Sequence, residues 1–206
     1  MTVKLHRWNA VLLLFFLVLH FGTHFAGLLG PQVHGDALEA ATKLYRIGFV
    51  EPVLLGAFAM QVVLGIALVR KRKKAGIEKG WGTIQVVSGA YLAMFITVHA
   101  LSALFARYAN GLDTNFWWPA STLAHSELSY FFYPYYTLAV CALFAHLAAA
   151  LYYGSGQAKS ARALLVAGPV VALLIIAGFG GWFRDISVPA EYMGAFQNYI
   201  PGAAPS

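Results

Sequence analysis

Five apolar stretches dominate this chain, near residues 8–29, 50–70, 83–106, 130–153 and 162–183. Each is long enough to cross the hydrocarbon core of a bilayer, which takes about 20 residues. Inside that core no water satisfies backbone N–H and C=O groups, so each stretch must form a helix that bonds to itself. The five stretches use most of the 206 residues. The expectation is therefore an all-α integral membrane fold, a single domain over 1–206 with five transmembrane helices and no room for a second folded unit. Only 11% of the residues are charged, against about 25% in a soluble domain, which excludes an ordinary soluble enzyme. The single cysteine, Cys141, lies within the fourth stretch and reads as a small buried hydrophobe. It leaves no disulfide and no cysteine set for zinc or an iron–sulfur centre. Lys4 and Arg7 before the first stretch resemble the start of a signal peptide, but the run is too long, carries two histidines and precedes four more spans, so a retained helix is expected.

Charge sets the expected orientation. With the N-terminus placed in the cytoplasm, ten of the 14 Lys and Arg residues fall on the inner side, six of them in Arg70–Lys74 and Lys79. Of the eight acidic residues only Glu78 lies there. The positive-inside rule then predicts N-in, C-out. In that setting the Arg70–Lys74 run is a topology signal in a short loop, and nucleic acid is not an expected partner.

Local signals divide the rest. Gly30-Pro31 ends the first helix, and Asp36–Tyr45 has the spacing of a short amphipathic surface helix. Pro52 suits the first turn of the second span. Phe116-Trp117-Trp118-Pro119 and Tyr130–Tyr136 read as interfacial aromatic belts, with quinone stacking a second role for the first. The fifth span has no ionisable residue between Arg162 and Arg184; it is expected to be peripheral and lipid-facing, with spans one to four forming the bundle. The tail, 186–206, is expected to be loosely ordered.

Histidines carry the chemistry. A histidine in a bilayer is costly and marks a functional site by default. His20 and His99 each end a Phe-x-x-x-His phrase, Phe16–His20 and Phe95–His99, in the second half of an outward-running span. Their depths differ by about 4 Å at 1.5 Å per residue, so they suit the two axial positions of one haem, and an electron-transfer protein is the first reading. His24, one turn beyond His20, matches His99 in depth equally well. His146 lies in the inner half of the fourth span; its natural partner would be a second-span histidine, and the polar residue there is Gln61. His6, His34 and His125 read as border or loop residues, with His34 a further candidate for protonating a quinone. Gly22, Gly27, Gly65 and Gly89 would allow helices or a flat macrocycle to approach closely.

These pieces resemble a known family. His20 ten residues before Gly30-Pro31, Glu51 opening the second span, Gln85-Val-Val-Ser-Gly89 leading to His99, and His146 near the end of the fourth span are similar to the five-helix cytochrome b membrane anchor of succinate:quinone oxidoreductases and fumarate reductases. The resemblance covers about 8–153. It implies a haem-binding bundle of helices one to four, with His20 rather than His24 opposite His99 at an outer haem b, and His146 at an inner haem whose second-helix position falls at Gln61. One haem is expected, and two only if His146 has another partner. The resemblance also implies a flavoprotein subunit and an iron–sulfur subunit as partners, membrane quinone as substrate, and a bacterial inner membrane as location. Glu51 and Arg46 are the candidates for the quinone and proton side; Arg46 could instead meet a haem propionate. This chain has neither a nucleotide fingerprint nor a cysteine set, so the dicarboxylate chemistry would belong to its partners. Rival expectations are a haem-free helix-bundle anchor, a small transporter, and a stand-alone quinol-linked cytochrome.

Overall fold

A computed structural model describes residues 1–195; part of the expected loose tail, 196–206, lies outside the described residues. The helices are α1 (Thr2–Ala26), prolonged by a 3-10 turn at Gly27–Leu29, α2 (Pro31–Tyr45), α3 (Val50–Ala75), α4 (Trp81–Tyr108), α5 (Trp117–Ala124), α6 (Ser129–Ser155), α7 (Ala158–Phe179) and α8 (Ala190–Gly194). Five of them, α1 with its turn, α3, α4, α6 and α7, are long and apolar enough to cross a membrane. The protein therefore reads as a multi-pass membrane protein.

Boundaries move for local reasons. The first span begins at Thr2, not near residue 8, so His6 is part of it. The Arg70–Lys74 run is the last turn of α3 and not a loop, where cations complement the exposed carbonyls of the helix end. α2 starts at Pro31, earlier than the expected Asp36. Gly30 permits this: its φ of +115° is closed to L side chains, and a Cβ there would lie 2.5 Å from Arg184 Nη1. That guanidinium donates to the carbonyls of Leu29 (2.6 Å) and Leu28 (2.5 Å), satisfying the last acceptors of the first span.

Successive spans run antiparallel and close a ring: α1 packs on α3, α3 on α4, α4 on α6, α6 on α7, and α7 back on α1 and its terminal turn. At the end bearing the basic run, Trp81 stacks on Tyr152 (5.0 Å) and Arg72 lies over the Tyr153 ring (5.4 Å). At the far end the loop after α4 folds inward. Phe116, Ala120 and Leu123 join Ile175 and Phe179 in the main buried cluster.

Two expectations are corrected here. The fifth span is not peripheral: α7 buries eight residues, including Ala161, Gly168, Ala172 and Gly178, whereas α3 buries only Ala57. Small residues bring α7 close to its neighbours; a Cβ on Gly178 would lie 3.2 Å from the Leu28 nitrogen. The absence of charge that suggested lipid contact suits a buried helix equally well. The Phe116–Pro119 segment is likewise no simple belt, since Phe116 is 1% exposed and α5 plugs the far end.

Candidate functional site

One face of α1 and its terminal turn carries His6, Asn9, Leu13, Phe16, His20, Thr23, His24 and Gly27, which recur at helical spacing. Asn9, Leu13, Thr23 and Gly27 are buried, so this face looks into the ring. α4 is not an adjacent member of the ring for α1, yet the rings of His20 and His99 meet with centroids 6.0 Å apart and an interplanar angle of 70°. The repeated Phe-x-x-x-His phrase has a physical role. Four residues place the phenyl ring under the imidazole on the same helix face. Phe16 stacks on His20 (5.2 Å, 20°) and Phe95 on His99 (5.2 Å, 12°). Trp118 of α5 approaches His99 from the far end (6.1 Å).

His24 continues the line outward. Its Nε2 lies 3.1 Å from His20 Nε2, so one of the two nitrogens must donate to the other. Beyond it, His34 of α2 stacks on His24 (6.3 Å, 16°) and packs against Phe116 and Phe179. His34 is 3% exposed, not a loop residue at the border. Burial pushes its pKa down to about 4, so it is neutral at neutral pH. The sequence signal was its position three residues after Pro31, on the inward face of α2.

The donor set can be tested against a haem. A metal–imidazole bond is about 2 Å, which puts the centres of two axial imidazoles on one iron about 6 Å apart. The His20–His99 separation of 6.0 Å matches that distance. Among the described residues, no three or more His, Cys, Asp or Glu side chains group to hold a bare metal ion. A pair of axial donors whose four remaining ligands come from a porphyrin suits what is present. The separation suits the group, while His20 Nε2 as placed is engaged by His24 at 3.1 Å and would have to leave that bond to serve as a ligand.

The other expected residues fall elsewhere. Glu51 pairs with Arg107 (2.5 and 3.3 Å) beside the Tyr108 hydroxyl (3.5 Å). Arg46 donates to Thr114 (2.9 Å) instead. Arg107 was missed because its partner lies on another span. His146 is half-buried on α6, away from the His20–His99 pair, with Ser88 3.3 Å from its Nδ1. His125 lies before α6, its Nδ1 3.4 Å from the Glu127 amide. No protein-family model, curated protein or solved structure matches this chain.

Proposed function

We propose that this chain is the membrane-anchor cytochrome b subunit of a succinate dehydrogenase or fumarate reductase, mediating electron transfer between an iron–sulfur subunit and membrane quinone. The reading rests on the facing rings of His20 and His99 at 6.0 Å, together with the resemblance described above. A bis-histidine haem b supplies a carrier that takes up and releases one electron at a time. His20 and His99 would hold it between α1 and α4, and Phe16 and Phe95 would fix the planes of the two imidazoles. The α5 plug and the end of α7 exclude water from His24 and His34. Quinone reduction consumes two protons; Glu51, held by Arg107 and Tyr108, and His34 are the groups at the far end that would handle them. The basic end of α3 would face the cytoplasm, giving N-in, C-out in a bacterial inner membrane, with a flavoprotein and an iron–sulfur protein docked there.

A reduced-minus-oxidised spectrum of the purified full-length chain tests the reading. The expected result is a sharp reduced α band that persists in His24→Ala and loses the contribution of this site in His20→Ala and His99→Ala. A second reading, a haem-free bundle whose histidines join helices, is favoured by the 3.1 Å bond that engages His20 Nε2. Protein expressed with ample haem yet free of it would establish that alternative. Co-purification of a flavoprotein and an iron–sulfur protein separates an anchor from a stand-alone quinol-linked cytochrome.

A further inference from the structure

α7 packs closely on one side and is open on the other. Its packed face lies against α6: Ala161 and Ala172 are fully buried, and a Cβ on Gly168 would lie 2.9 Å from Phe144 Cβ. On the opposite face Lys159, Ala163, Val166, Val170 and Leu173 recur every three or four residues, with Arg162 beside Ala163. All six are exposed, Val166 by 68% and Val170 by 56%.

That open face is furrowed. Arg162, Ala163, Val166, Ala167, Val170 and Val171 line a groove of about 590 Å³, within the usual span of a ligand site, about 300–1,000 Å³. Apart from Arg162 the lining is alkyl. The valines are β-branched and stiff, so the groove needs little ordering to receive a flexible chain. From Arg162 to Val171 the helix rises about 13 Å. Half the hydrocarbon thickness of a bilayer is about 15 Å. The groove therefore runs the depth of one leaflet, with Arg162 and Lys159 at its mouth, where lipid headgroups lie.

Charge selects the occupant. α7 contains no acidic residue, and among the described residues neither Lys159 nor Arg162 has an ion-pair partner. A second copy inserted the same way round would meet this face with the same face. It would set Arg162 and Lys159 of each copy against their like. A molecule that is apolar along its length and anionic at one end answers both features of the groove.

We infer that the α7 groove binds one anionic phospholipid of the leaflet at the basic end, with an acyl chain along Val166 and Val170 and the phosphate held by Arg162 and Lys159. The inference involves neither haem nor quinone, so it stands or falls apart from the proposed function.

The test is lipid retention by the full-length chain in neutral detergent. Native mass spectrometry follows titrations with phosphatidylglycerol and with phosphatidylcholine of the same acyl chains. Expected is one phosphatidylglycerol per chain, held about tenfold more tightly than phosphatidylcholine. Arg162→Gln should weaken that binding about fivefold, the effect of one basic residue at an anionic surface, and Arg162→Lys should restore most of it. Val166→Trp should fill the groove and remove the retained lipid, with the unfolding midpoint in detergent alone unchanged. Equal retention of the two lipids, or retention unchanged in both Arg162→Gln and Val166→Trp, would overturn the inference. A loss in Lys73→Gln as large as that in Arg162→Gln would also overturn it, since the attraction would then belong to the whole basic end. Lipid-free dimers that Val166→Trp dissociates would overturn it and give the face to a second copy.

Discussion

The two ends of this helical ring are built differently. At the far end, α2, α5 and α7 converge on Phe116 and Phe179, and His34 is sealed beneath them. At the basic end, polar and aromatic contacts join the spans beside the fully buried Ala148, Ala149 and Ala161: Trp81 on Tyr152, Tyr153 on Glu78 (2.8 Å), and the Asn9–Gln61–His6 chain. The difference teaches where the ring gets its rigidity. The far end is held by large aromatic side chains that exclude water, and the basic end by buried alanines, ring stacking and hydrogen bonds between spans.

The largest expected effect probes that contrast directly. Phe116→Ala should destabilise the far end by about 4 kcal/mol through a core cavity. Trp81→Ala, half-buried and stacked on one partner, should cost about 1–2 kcal/mol. Equal losses in thermal unfolding in detergent would erase the distinction between the ends.

His34 offers the next largest. Its pKa is 6.5 when unfolded and about 4 in the fold. Between those values the unfolded chain binds a proton that the folded chain refuses. Stability is therefore whole above pH 6.5 and declines as the pH falls to about 4, by about 3 kcal/mol in all. His34→Gln should flatten this part of the unfolding profile; an unchanged slope would show that the seal over α2 is leaky.

A smaller effect is expected at the Glu51–Arg107 pair, whose side chains are 18% and 19% exposed. Glu51→Gln should cost about 1–2 kcal/mol, between an exposed and a buried pair, and should slow quinone reduction if this end handles protons. Unchanged quinone kinetics would confine the pair to joining α3 and α4. The smallest effect belongs to Lys43–Glu39 on the exposed face of α2, 70% and 69% exposed. Lys43→Ala should leave the unfolding midpoint essentially unchanged, and a clear loss would mean that α2 is anchored by its outer face.

What the sequence made legible around the candidate site is local geometry. His20, His99 and their stacked Phe16 and Phe95 lie on single helices at a spacing of four, so each phrase announces its own geometry. His6 and His34 were read as border residues because each sits near a helix start, where sequence signals are weakest. Arg107 and the Phe116 plug acquire their roles only from segments distant in the chain.

The sequence by itself determined the five long helices and the break at Gly30-Pro31, because hydrocarbon length and a positive-φ glycine are local constraints. Tertiary structure decided that α7 closes the ring, that α5 folds inward, and that His6 meets His146. Apolar composition reads the same on a helix facing lipid and one packed in protein. Which face finds a neighbour is a property of the whole ring and not of any one span.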